Sequence, residues 1–206
     1  KPENPDRCVG IDVGILKYAH DTDGRAVGSL DLQDERERLT REQRSLSRKQ
    51  HGSNNWETQR LRVAECHQRV RRKHHDFLHK LSNYYATEYD LVAVEDLNVK
   101  SMLESSGNSQ NTASAAWDTF TTMLEYKCNR EGTHFVEVEP AGTTKECASC
   151  GVESDKPLWV REHSCPACGF EMDRDANAAI NILSRGFEKL GLGQSEATTP
   201  VETALP

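Results

Sequence analysis

Cys147-Ala-Ser-Cys150-Gly and Cys165-Pro-Ala-Cys168-Gly are two C-x-x-C-G knuckles with fourteen residues between them. Two residues between paired cysteines let both thiolates reach one ion at about 2.3 Å in a tight turn. The glycine after each pair permits the positive φ that such a turn takes. Together the knuckles supply four thiolates, which close a tetrahedral Zn2+ shell and make the site structural rather than catalytic. The bland alternatives are four free thiols or two disulfides. An odd count of seven cysteines, with no signal peptide visible, favours reduced thiols and metal over both. His163 beside Cys165 is not needed as a ligand. Cys8, Cys66 and Cys128 are scattered and read as buried small hydrophobes.

A second group of residues suits a harder metal. Asp12 ends one apolar run, Cys8–Val13, and Glu95 ends another, Tyr89–Glu95. Asp175 opens an Ala/Ile/Leu-rich stretch. If the two runs are neighbouring strands and the last stretch is a helix laid over them, the three acids meet. Converging carboxylates cannot all stay ionised without a cation. Two Mg2+ ions answer that problem and would drive in-line phosphodiester hydrolysis, one activating water and both stabilising charge on the phosphate. Taken singly, each acid is as well explained as a cap or a surface carboxylate. Asp175 could be a helix N-cap, with Asp173 the ligand in its place.

The elements that must position these residues follow from periodicity. Cys8–Val13, Lys17–His20 and Arg25–Leu32, with Asp21-Thr-Asp-Gly24 as the hairpin signal, predict three antiparallel strands. Glu35–Gln50 and Trp56–Glu88 predict two helices. In the second, Val63, Cys66, Val70, Phe77, Leu81 and Tyr84 recur as one face. His51–Asn55 joins them as a loop. Tyr89–Glu95 is a strand, Lys100–Asn111 a Ser/Asn/Gly-rich loop, Ala113–Arg130 a helix, and His134–Val138 a strand. The cysteine region fills 143–172. Asp175–Leu190 is the last helix, and 191–206 reads as a disordered tail. The order predicts an α/β fold, a mixed sheet flanked by helices.

Charge is uneven. The chain holds 26 Lys and Arg against 33 Asp and Glu, a net charge of −7, which alone argues against a nucleic-acid partner. Residues 36–80, however, hold thirteen Arg and Lys against five acids. A basic stripe on an acidic body can still bind phosphate locally, although a solvated helix face explains the same charges. Its candidate contacts are Arg60, Arg62, Arg69, Arg71, Arg72 and Lys73. No apolar run is long enough for a membrane span, so the expected setting is cytoplasmic, and the acidic remainder fits a prokaryotic, salt-adapted host.

Read together, Gly10-Ile-Asp-Val-Gly14 with Lys17, Val94-Glu-Asp-Leu-Asn-Val99, the two knuckles, Asp173-Arg-Asp-Ala-Asn-Ala-Ala179 and Asn181-Ile182 resemble the TnpB family of transposon-encoded, RNA-guided DNA endonucleases. The resemblance spans Val9 to Leu183. It implies an RNase H-like (RuvC) nuclease core carrying an inserted four-cysteine zinc ribbon. The core would be 8–142 with the basic hairpin 35–88 inside it, the ribbon 143–172, and the last core helix 173–190. By the same resemblance Asp12, Glu95 and Asp175 are the catalytic, Mg2+-holding acids, the family pattern selecting Asp175 over Asp173. Arg161 and Arg174 would guide a strand into the site. The implied partners are target DNA and a guide RNA from the transposon end, with base pairing reading the sequence.

Family members carry a sizeable N-terminal portion, whereas this sequence starts at Lys1, just before the first nuclease strand. The expectation is a fragment or truncated copy, capable at most of unguided, metal-dependent nicking. Two other readings compete: a non-catalytic zinc-ribbon nucleic-acid-binding protein of the same descent, and a RuvC-type junction resolvase. The three retained acids argue against the first, and the inserted ribbon against the second.

Overall fold

A computed structural model describes residues 1–97, 116–155, 157 and 159–192. The expected loop at 100–111 lies outside the described residues, as does the expected tail 191–206 apart from Gly191 and Leu192. The chain divides into two compact units, one formed by 1–29 with the residues from 82 onward, the other by 30–81.

The first unit is built on a five-stranded sheet. Its strands are β1 (Cys8–Val13), β2 (Lys17–Asp21), β3 (Ala26–Gly28), β4 (Leu91–Glu95) and β5 (His134–Val138), in the order β3-β2-β1-β4-β5. β1, β2 and β3 pair antiparallel as a meander, whereas β1–β4 and β4–β5 are parallel. The three antiparallel strands and both later strands are those the sequence predicts. Asp21 shapes the β2–β3 turn, because its Oδ1 accepts from the backbone N–H groups of Asp23 and Arg25. Its Oδ2 accepts from the Tyr85 hydroxyl at 3.0 Å, so this buried acid is fully used by structure.

Among the described residues the unit also holds the helices α3 (Trp117–Glu131) and α4 (Arg174–Leu190). α4 lies across the sheet. Ile182, Leu183 and Phe187 form one apolar cluster with Leu91, Ala93, Val136 and Val138. Side chains alternate faces along a strand, so Gly10 and Asp12 share that face of β1, and Glu95 shares it with Leu91 and Ala93 on β4. Two glycines set the distance. A Cβ on Gly10 would sit 2.1 Å from the Ala179 carbonyl oxygen, and one on Gly186 would sit 2.8 Å from the Ala93 Cβ. The helix backbone therefore touches the strand backbone, which no larger residue allows.

The second unit is a helical hairpin of α1 (Gln33–Ser47) and the larger part of α2 (Asn54–Glu88). Gln59 donates to the Glu42 backbone oxygen at 3.1 Å and to its carboxylate at 2.5 Å, and Lys73 pairs with Glu35. The face read from periodicity is the inner one: Cys66 and Leu81 are buried, and Val63, Val70, Phe77 and Tyr84 are half-buried. No helix among the described residues is long and apolar enough to cross a membrane.

Candidate metal centres and nucleic-acid interface

The parallel pairing of β1 with β4 matches Ile11 to Val94. One residue further on, at the carboxyl ends of both strands, stand Asp12 and Glu95. Neighbouring parallel strands carry their facing residues on one side, so both acids look toward α4. Asp175 stands in the first turn of that helix, near enough for its charge to act on Asp12. Asp173 is the N-cap: its side chain accepts from the backbone N–H groups of Asp175 and Ala176 at 2.9 and 3.2 Å. Capping thus occupies one oxygen of Asp173, and it is the charge of Asp175 that acts on Asp12.

Their electrostatics record the convergence. Burial, then the charge of Glu95, then that of Asp175 push the Asp12 carboxyl from 3.8 up to about 8, against a smaller downward pull from Arg174 and Arg161. Burial also raises Glu95, while the Thr143 hydroxyl and Arg185 hold it back. Thr143 donates to Glu95 Oε1 at 2.5 Å. Asp175 is almost covered, and Arg161 and Arg174 reach its two oxygens at 2.5 and 3.4 Å. The three carboxylates do not all close to within 4.8 Å of one another, a spacing that only the cysteine cluster meets among the described residues. His20, paired with Asp12 across β2, is buried, and its Nδ1 has no hydrogen-bond partner among the described residues.

The four cysteines do meet. Cys147, Cys150, Cys165 and Cys168 place their sulfurs within 4.8 Å of one another, with Cys147–Cys168 at 3.8 Å and Cys150–Cys165 at 3.6 Å. None is in a disulfide. Sulfurs bound tetrahedrally at about 2.3 Å stand roughly 3.8 Å apart, so the cluster fits a single ion. The backbone N–H groups of Cys168 and Ala167 hold the Cys165 thiol down at about 6, favouring the thiolate. Around it the ribbon has a short antiparallel pair, β6 (Glu162–Ser164) with β7 (Glu171–Asp173), and a bridge between Glu146 and Glu153. The sequence does not announce these three-residue strands.

One stripe on α4 ties the ribbon to the acids. Asn177 donates to the Glu146 oxygen at 2.7 Å and accepts from the Ala148 N–H at 2.9 Å. Asn181 donates to the oxygens of Thr143 and Glu146 at 2.9 and 2.8 Å. Arg185 reaches the oxygens of Glu139 and Ala141 and the Glu146 carboxylate. These residues stand four apart, hence on one helix face. They present the segment that carries both Thr143 and Cys147.

All six candidate cations of α2 are exposed. Arg60 pairs with Glu57, and Lys73 with Glu35, leaving Arg62, Arg69, Arg71 and Arg72 as the less engaged ones. Within the same unit, Arg41, Arg44, Arg48 and Lys49, which belong to the basic stripe 36–80 but not to its named contacts, line a cleft along α1.

Comparison with known proteins follows this geometry. A family model described as "Probable transposase" (OrfB_IS605) matches residues 1–106, just over half of the chain. The chain belongs to the TnpB (OrfB_IS605) family. A second model, "Cas12f1-like, TNB domain", matches residues 117–182 of this TnpB chain, from α3 through the ribbon into α4. A Streptomyces pristinaespiralis protein named "Putative RNA-guided DNA endonuclease" is 38% identical over 189 residues, covering 90% of this chain and 47% of its own length. An Escherichia coli K12 protein, "Putative RNA-guided DNA endonuclease InsQ", is 30% identical over 203 residues, covering 90% of this chain and 50% of its own. The TnpB chain thus spans about half the length of these relatives. Among solved structures, "Cryo-EM structure of the Cas12f1-sgRNA-target DNA complex" aligns with a TM-score of 0.63 at 18% identity, over 89% of this chain and 51% of that one. That likeness is of fold, and the fold is the RNase H-like (RuvC) sheet with its four-cysteine ribbon.

Proposed function

We propose that this TnpB chain is the DNA-cutting core of a transposon-associated, RNA-guided endonuclease, with Asp12, Glu95 and Asp175 as its catalytic acids. The observation that carries the reading is the electrostatic convergence of the three acids, distant in sequence, at the ends of β1 and β4 and the start of α4. A carboxyl pushed to about 8 by burial, and then by the charges of Glu95 and Asp175, is one that a cation would relieve. Magnesium oxygens bond at about 2.1 Å, so one ion spans at most ~4.2 Å between ligands.

When bound, two Mg2+ ions would supply an activated water and stabilise the charge of the phosphate under attack. The protein's part is positional. Glu95 is held by Thr143, Asp12 by the strand pairing, and Asp175 by the Asp173 cap. Arg161 and Arg174 stand where a phosphate oxygen would approach and would orient it. The ribbon's four thiolates would hold Zn2+ as a structural ion. The core would comprise 8–142 and 173–190, with the ribbon 143–172 between them. Target DNA and a guide RNA are the proposed partners, through exposed cations of the hairpin, in a reducing prokaryotic cytoplasm.

The test is cleavage of single-stranded and guide-matched double-stranded DNA in Mg2+ or Mn2+, with metal analysis of the purified protein. Asp12→Ala should abolish cutting while leaving DNA binding intact, because the acid holds metal and repels phosphate. An Asp12→Ala protein that cuts as well as the wild type overturns the reading. So does cutting that survives without a divalent ion.

A further inference from the structure

Trp159 is 82% exposed, more than any other large apolar side chain among the described residues. An indole in water forgoes more burial than any other side chain. Trp117, by contrast, is buried at 3%.

The backbone that carries Trp159 is anchored beside the acids. The Val160 N–H donates to the Pro157 oxygen at 3.0 Å, closing a turn around the tryptophan. The Val160 oxygen accepts from Arg174 Nη1 at 3.4 Å, and the Arg161 oxygen accepts from the Arg174 N–H at 2.8 Å. Arg161 then sends its own guanidinium to Asp175. Two successive residues after the indole are therefore fastened to the first turn of α4, where the acid sits.

We propose that Trp159 is a stacking platform for an unpaired nucleobase of the strand held at the acid centre. The inference rests on the nuclease reading and adds how the site would tell a single strand from a duplex. Every base has a π-face, so an indole accepts all of them, while a base inside a duplex is already stacked on its neighbours. The arginines beside it match a phosphodiester backbone. A protein partner would need a contiguous apolar patch. Among the described residues, the exposed neighbours of Trp159 in the chain are instead Asp155, Pro157, Arg161 and Glu162.

The experiment is binding of the 206-residue chain to a short oligothymidine and to a fully abasic strand of equal length and charge, with Mg2+ withheld. Tryptophan emission and affinity are read for the wild type, Trp159→Ala and Trp159→Phe. The wild type should be quenched by the oligothymidine and should prefer it over the abasic strand by about tenfold or more, the effect of one stacked base. Trp159→Ala, with Trp56 and Trp117 still present, should lose the quench and most of that preference. Trp159→Phe should retain most of it. An equal preference for bases in the wild type and Trp159→Ala overturns the proposal, as does a quench that survives the substitution. Self-association lost in Trp159→Ala, with no change in strand binding, would assign the indole to a protein contact and overturn it too. Binding is read without cleavage, so the two readings fail separately. A chain that stacks bases but never cuts sinks only the nuclease reading. One that cuts, with base preference untouched in Trp159→Ala, sinks only the platform.

Discussion

Arg161 Nη2 lies 2.5 Å from Asp175 Oδ2, so the acid that α4 contributes already carries a cation supplied by the ribbon. That guanidinium occupies an oxygen that a metal ion would need. The pair is also partly open to water, which limits its worth to about 1 kcal/mol. Arg161→Ala should therefore raise Mn2+ affinity in calorimetric titration by up to about fivefold. A loss of affinity would mean that the arginine orients Asp175 for metal rather than competing with it.

The acid centre gives the metal-free protein a defined response to pH. Asp12 titrates near 8 when folded, against 3.8 ordinarily, because burial and the charges of Glu95 and Asp175 oppose its ionisation. Between those values the folded chain holds a proton that the unfolded chain has lost. The Asp12 contribution to stability without divalent ions is thus largest below about pH 4, falls as pH rises toward 8, and levels off above it. Asp12→Asn should flatten that slope in a plot of Tm against pH. Mg2+ should also flatten it in the wild type, with release of about one proton on binding at neutral pH. A slope that Asp12→Asn leaves unchanged would assign it to other groups.

Gly10→Ala tests the contact that brings Asp175 over the strands. The new methyl would stand 2.1 Å from a helix carbonyl oxygen, an atom that cannot swing aside. Overpacking of this kind costs about 1–3 kcal/mol or more. Gly28→Ala meets nothing within 4 Å and should be near neutral. Urea midpoints for the two variants measure the difference. Equal midpoints would show that α4 can lift away from β1 at no cost.

Much of this arrangement is legible in the sequence, for physical reasons. Asp12 and Glu95 end apolar runs whose only economical placement is side by side in a sheet, and the knuckle spacing leaves the cysteines little alternative to one shared ion. Residue type alone does not separate Asp175 from Asp173, because an aspartate both caps helices and binds metal; the family pattern favours Asp175, and in the structure Asp173 accepts the two backbone N–H groups of the helix cap. Thr143 carries no signal, since a lone threonine near a cysteine is ordinary, and Arg161 is singled out only through the family resemblance. The Asn177, Asn181 and Arg185 stripe lies on the polar side of a helix read for its Ala, Ile and Leu. Strands of three residues, such as β6 and β7, are too short for alternation to register. Trp159 escapes for the opposite reason: periodicity treats an aromatic residue as core, and nothing local marks this one as exposed.

Thr143 and Cys147 are four residues apart on the segment that Asn181 and Asn177 grip. An ion on the sulfurs fixes one end of that segment, and the Thr143 hydroxyl on Glu95 fixes the other. Binding free energies at two coupled sites are reciprocal. Whatever factor an ion at the sulfurs adds to affinity at Glu95, an ion at Glu95 returns to the sulfurs. On the proposed reading the soft-metal and hard-metal sites would form one cooperative unit, and losing the first ion would weaken capture of the second.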